Sequence, residues 1–337
     1  MRKMLLHVLV MVFLSGCGTM KTVDLELKQV FLIESTHPVE PSGLEMQDGK
    51  LWFVCDKDDS TLYSVTLPKL TDRTYGSEGT ARILIEPLYP KEERKFHIYS
   101  NGALPEKCDF EGISKSTDGN FYLVSEAQSK IIKVNPKTGE TFVLTPDLKP
   151  FVKDCGMLVN RNAGLEGIAV VSAKEFLLSA EREVNGIIYV KLDARDSIQK
   201  VVGYLIPETK AELKMPRTPD FSDIFIEPVQ EKSNDSPARE DVERISQENR
   251  IFLLYRGAEG ILEMDFKDGK FHEKGLWRFS NWVTHPDFSY QDTTYGLAEG
   301  LWMDESHIYV ILDNNQDARR NAPQDRRPLL FIFKRPN

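Results

Sequence analysis

A glutamate–glycine–aliphatic phrase recurs along this chain, and each copy leads into an apolar run that closes on an acid. The copies are Phe110-Glu111-Gly112-Ile113, Leu165-Glu166-Gly167-Ile168 and Ala298-Glu299-Gly300-Leu301. The runs end at Glu126, Glu181 and Asp313, and glutamate and closing acid lie 15, 15 and 14 residues apart. Two weaker copies share the frame. Ser42-Gly43-Leu44 leads to a run ending at Asp56, and Ser222-Asp223-Ile224 leads, after an insertion, to a run ending at Arg256. A period of about 40–50 residues with several short strands per period is the signature of a β-propeller, whose repeats bury their faces only against one another.

Alternating apolar residues and Gly, Asn, Asp or Pro turns divide the repeats into strands. The second repeat reads as strands at 111–115, 121–126, 130–135 and 141–145, and the third as 166–171, 176–181, 186–192 and 199–206. The first reads as 43–46, 51–55, 62–66 and 81–85, and the fourth as 223–226, 251–256, 261–266 and 274–279. The last offers only 300–303, 308–312 and 329–334, while the N-terminal segment 25–34 is a strand without a repeat of its own. Pairing that orphan with the last repeat closes the ring and hides two edges. The expectation is an all-β propeller of five four-stranded blades, or six if an insertion conceals one, forming a single domain over 24–337. Residues 227–249 are polar and poor in apolar side chains, which predicts a mobile surface insertion with a helical turn near 239–248.

The N-terminus reads as an address. Arg2 and Lys3 precede an apolar run, and Leu14-Ser15-Gly16-Cys17 resembles a bacterial lipobox, cut before the cysteine that receives lipid. The run is too short to span a bilayer, which takes roughly 20 apolar residues. The reading is a signal peptide over 1–16, a lipidated tether over 17–23 beginning at Cys17, and an envelope protein held on a membrane, the outer one if the cell has two.

The formal charge of −9 becomes −11 once Arg2 and Lys3 are removed. Such an acidic chain lacks the basic footprint of a nucleic-acid binder. Cys55, Cys108 and Cys155 show no C-x-x-C spacing, which disfavours a zinc or redox motif. A disulfide between Cys108 and Cys155 is compatible with an exported compartment. There is no P-loop, G-x-G-x-x-G, H-E-x-x-H or G-x-S-x-G.

The acids carry the chemistry. The first strand of a propeller blade lines the central channel, so Glu111, Glu166 and Glu299 take equivalent places around one axis, with Glu126, Glu181 and Asp313 near one mouth. Clustered carboxylates require a cation, a proton or arginines. Ca2+, which accepts six to eight oxygens, is one answer. The other is structural: the glutamates accept backbone N–H bonds and lock the blades. Asp313-Asn314-Asn315-Gln316-Asp317 opens like a calcium loop, but Ala318 and Gln324 stand where an EF-hand needs Gly and Glu, so an EF-hand is excluded. Arg182, Arg256, Arg319 and Arg320 form a candidate anion site, or else salt bridges with the nearby acids.

The repeated E-G-[IL], the apolar strand closing on an acid, and Asp313-Asn314-Asn315 near the end resemble the phytase-like esterase domain and the related SdiA-regulated propellers of bacterial envelopes. The resemblance runs from about Ser42 to Phe333. It implies an esterase- or phosphatase-like activity on a calcium-binding propeller, with Glu111, Glu166, Glu299, Glu126, Glu181 and Asp313 at the family's acidic positions. Ser42, Ser222 and Arg256 depart from the pattern, which argues against a fully symmetric metal site. Two functions follow: a calcium-dependent hydrolase of phosphate or carboxylate esters, and a non-catalytic propeller that binds a small anion or an envelope protein.

Overall fold

In the computed structural model the strands form five sheets arranged as the blades of a β-propeller. The structure describes residues 20–70, 85–95, 107–160, 163–182, 184–206, 209–214, 220–229, 241–292 and 297–336. Cys17 and the signal segment lie outside the described residues.

Blade 1 runs outward through Pro41–Gln47, Lys50–Cys55, Asp58–Thr66 and Lys91–Lys95. Blade 2 uses Phe110–Lys115, Phe121–Ser125, Lys130–Val134 and Thr141–Val143, and blade 3 uses Leu165–Ser172, Glu175–Ala180, Gly186–Leu192 and Ile198–Leu205. Blade 4 has Phe221–Pro228, Asn249–Tyr255, Gly260–Lys267 and Lys270–Arg278. Blade 5 has Ala298–Met303, His307–Leu312 and Leu329–Lys334, and its fourth strand is Glu26–Ile33 from the N-terminus, antiparallel to Leu329–Lys334. The ring therefore closes as the orphan strand predicts.

Three details differ from the sequence reading. Lys21–Asp24 is not tether but a fifth, parallel strand on blade 4, where Asp24 grips Arg278 through two bonds of 2.6 and 3.0 Å. The outer strand of blade 1 is Lys91–Lys95. Ile85–Leu88, expected there in part, adds instead to the edge of blade 5, parallel to Glu26–Ile33. The helical turn expected near 239–248 is present as Asp241–Glu248, but it is docked on the fold rather than mobile; residues 230–240 of the insertion lie outside the described residues. In the helix Val242 and Ile245 are buried, while Asp241 bonds Lys191 and Lys200 at 3.1 and 3.2 Å. The low mean hydropathy of the segment hid a two-residue apolar stripe that suffices to anchor two turns.

The second strands of the blades are apolar at consecutive positions because each sheet packs on a neighbour on both faces. Phe121, Tyr122, Leu123 and Val124 are all fully buried, with Trp52 of blade 1 at 5.2 Å from Phe121 and Phe176 of blade 3 at 5.1 Å from Tyr122, ring centre to ring centre. The five inner strands touch in sequence around the axis. They approach so closely that side chains are excluded: a Cβ on Gly112 would stand 2.7 Å from the Glu166 carbonyl oxygen, and one on Gly167 would stand 2.6 Å from the Asp223 Cα. Asp223 occupies the glycine position of blade 4. Its buried carboxylate accepts from the Leu301 N–H at 2.8 Å and so ties blade 4 to blade 5.

An acidic bowl at the channel mouth

Each inner strand is irregular at the repeated phrase. Phe110 pairs with Ser125 and Gly112 with Val124, so Glu111 is an extra residue; Glu166, Ser222 and Glu299 are extra in the same way. A β-bulge re-aims the side chain that it inserts. Here it swings the glutamate out of the strand alternation towards the mouth of the channel. The strand-end acids meet them there.

The result is a cavity of about 720 Å³. Glu111, Glu166, Glu299, Glu126, Glu181 and Asp313 all line it, as do Arg182 and Arg256. Ten of its lining residues are acids and five are Lys or Arg, so the bowl carries an excess of negative charge. Its described lining contains no histidine. Arg319 and Arg320 are not part of it. Arg319 pairs with Asp325 and donates to the Asp287 carbonyl at 3.1 Å, and Arg320 donates to the Tyr290 carbonyl at 2.9 Å. They brace the loop behind the bowl, while Arg326 lines it. Proximity in sequence to Asp313 misassigned them, because the chain folds back between 317 and 326.

Three carboxylate groups have ligand oxygens within 4.8 Å of one another: Glu40, Asp56 and Asp313; Asp56, Asp109 and Glu111; and Glu126, Glu166 and Glu181. Glu40 and Asp109 escaped the sequence reading because neither sits on the repeated phrase. Asp109 immediately precedes Phe110, with a left-handed backbone at φ 54°. Glu299 stands outside these groups and faces Arg256 at 2.8 Å. Glu111 accepts from the Ser42 hydroxyl at 2.9 Å, so the serine of the degenerate first repeat serves the glutamate of the second.

Burial and mutual repulsion push these carboxyls upward, since both disfavour the ionised form. Glu111 is held well above the usual carboxylate range by burial and then by the charges of Glu166, Asp56, Glu299 and Glu126. Burial also dominates at Glu166, raised to about 8 against the pull of Arg256, at Asp313, raised to about 7, and at Asp56, raised to about 6.

The residues present fit a hard cation. Oδ1 of Asp56, Oε2 of Glu181 and Oδ1 of Asn314 are buried with no hydrogen-bond donor among the described residues. Unpartnered buried oxygens are costly unless something positive meets them. Asp313, Asn314, Asn315, Gln316 and Asp317 all reach the cavity, so the loop that fails as an EF-hand still supplies oxygens to the bowl. Cys55, Cys108 and Cys155 are free thiols, so the Cys108–Cys155 bridge is not formed.

A family model described as phytase-like, with the esterase-like activity of phytase, matches residues 40–219. The chain belongs to this phytase-like family. The match covers blades 1 to 3, with both degenerate and full copies of the repeated phrase. No curated protein matches the chain. Among solved structures, this phytase-like chain is similar to a catalytically inactive virginiamycin B lyase from Staphylococcus aureus, at 11% identity and a TM-score of 0.37, over 91% of this chain and 98% of that one. It is also similar to a putative gluconolactonase, at 9% identity and 0.41, over 91% and 92%. A third is an auxiliary nutrient binding protein from Bacteroides ovatus, at 8% identity and 0.43, over 90% and 61%.

Proposed function

We propose that the bowl is the active site of a calcium-dependent hydrolase of phosphate or carboxylate esters, carried on an envelope lipoprotein anchored through Cys17, in the outer membrane where the cell has one. The observation that carries this reading is the convergence of three carboxylate groups, with unpartnered buried oxygens, in one open cavity of a phytase-like propeller. Ca2+ would be held by Asp56, Asp109 and Glu111, with Glu40 and Asp313 beside them; Glu126, Glu166 and Glu181 form the second place where carboxylate oxygens converge. When bound, Ca2+ would supply charge compensation and polarisation of a phosphoryl or carbonyl oxygen.

The chain's own residues suit the rest of the task. Glu166, raised to about 8 by burial and outside the calcium set, can hold or release a proton near neutral pH, where acid–base catalysis is most effective. Lys57 and Lys107, half exposed and on the cavity wall, present ammonium groups to the anionic part of a ligand.

A second reading is a binding propeller that captures a small anion or an envelope protein without turnover. It is favoured by the enclosure of Arg256 among four acids, which spends its charge on the protein's own carboxylates. The deciding experiment is a melting series of the full chain with chelator or millimolar Ca2+, followed by p-nitrophenyl phosphate and p-nitrophenyl acetate assays. Calcium-dependent melting with turnover supports the hydrolase. Calcium-dependent melting without turnover moves the binding propeller ahead, and no calcium shift removes the metal from both.

A further inference from the structure

We propose that Arg256 is a resident cation that takes over the charge compensation of one half of the bowl, so that divalent metal is confined to the other half. The inference rests on the calcium reading above for its second clause only.

The sequence frame sets the problem. At the strand ends four blades carry an acid, Asp56, Glu126, Glu181 and Asp313, and blade 4 carries Arg256. Blade 4 also has Ser222 where its neighbours have a glutamate. These two departures replace two negative charges by one positive charge at a single blade.

The geometry shows what the replacement does. Arg256 is only 9% exposed. Its Nη2 lies 3.0 Å from Glu166 and 3.7 Å from Glu181, its Nη1 lies 2.8 Å from Glu299, and its Nε lies 3.5 Å from Asp220. One guanidinium thus gathers acids from three blades, in the fork geometry for which arginine is suited. Arg182 adds a second guanidinium at Glu181.

The opposite half is organised differently. Asp56 and Asp109 pair not with arginine but with Lys57 and Lys107, both 55% exposed at the side chain and free to swing out into water, while Glu111 accepts from Ser42 and feels Arg256 only from beyond ion-pair distance. Asp56 keeps one unpartnered oxygen there, as Glu181 does on the arginine side, so the halves differ in their cations and not in their free oxygens. A fixed internal cation on one side and displaceable ammonium groups on the other make the bowl electrostatically two-sided. Metal entering the arginine side would meet two guanidinium groups. On the lysine side it meets carboxylates whose partners can leave.

The test compares Arg256→Met and Arg256→Lys with the wild-type chain, by melting with chelator and by calorimetric titration with CaCl2. Removing a buried charge partner costs more than the pair contributes, so metal-free Arg256→Met should melt roughly 5–10 °C lower. Arg256→Lys should recover part of that loss. Calcium should restore more stability to Arg256→Met than it adds to wild type, with one further ion bound, because Glu126, Glu166 and Glu181 have lost a competing cation. If metal-free Arg256→Met melts like wild type, or if its calcium stoichiometry and calcium shift equal those of wild type, the proposal fails. If wild type binds no calcium but Arg256→Met gains a calcium shift, the resident-cation role stands and the calcium-hydrolase reading falls. Should Arg256→Met not fold, Arg256→Met with Glu299→Gln relieves one orphaned acid and should fold better; equal failure of both would overturn the proposal.

Discussion

Nη1 of Arg256, at the end of the second strand of blade 4, lies 2.8 Å from Oε1 of Glu299, on the bulge of the first strand of blade 5. Both groups are buried, so the pair links neighbouring blades where their backbones share no ladder. It also shows how the bowl tolerates its acids. Part of the charge is matched internally, and part is left to protons or to a bound cation.

That balance gives a pH dependence with a definite sign. Glu166, Asp313 and Asp56 have folded-state values raised to about 8, 7 and 6. Between the ordinary carboxylate range near pH 4–4.5 and pH 8 the unfolded chain has released these protons while the folded chain still holds them. Stability therefore falls as pH rises through this window. Metal-free protein should melt progressively lower from pH 5 to pH 8.5. On the proposed function, millimolar calcium should flatten the trend, since metal would bind the ionised form. Melting curves in chelator and in CaCl2 at five pH values check both parts.

The glycine ring gives a sharper test of the fold. Gly167→Ala would bring a Cβ to 2.6 Å from the Asp223 Cα, which is backbone and cannot step aside. We expect at least about 3 kcal/mol of destabilisation, or failure to fold. Gly119→Ala is the control. Nothing lies within 4 Å of its Cβ, and its cost is the strain of φ +80°, about 1 kcal/mol. Chemical denaturation of the two variants separates crowding at the axis from backbone strain.

Closure by the N-terminal strand predicts a large loss on truncation. Glu26–Ile33 buries Leu27, Val30 and Phe31 completely, and the Trp282 indole N–H donates to the Leu25 carbonyl at 2.8 Å. Deleting residues 25–33 exposes the edge of Leu329–Lys334 and should give aggregation in size-exclusion chromatography. Asp24→Ala removes only a half-exposed ion pair and should cost about 1 kcal/mol or less.

The proposed lipidation at Cys17 predicts that Cys17→Ser accumulates unprocessed or leaves the membrane fraction. Fractionation and mass spectrometry of both forms measure this. An unchanged mass and unchanged membrane association would remove the anchor from the proposed function.

The repeat, and with it the ring, is legible along the chain. Equivalent phrases in a closed array must meet on one axis, which brings Glu111, Glu166 and Glu299 together with Glu126, Glu181 and Asp313. The closure is legible too, because a last repeat short of a strand and an orphan strand at the start have one economical solution. Which charges meet depends on folding. Asp109 joins the bowl from outside the repeated phrase, and Glu40 stands behind its wall against Asp56 and Asp313, through contacts that no period encodes. Arg319 and Arg320 leave it because their loop folds back onto Asp287, Tyr290 and Asp325. The docked helix Asp241–Glu248 rests on two apolar residues that find their pocket only when blades 3 and 4 stand side by side. The physical reason is common to all of these. Periodicity fixes positions along each strand and around the axis, whereas the pairing of charges and the docking of loops depend on distances between segments that the chain brings together only on folding.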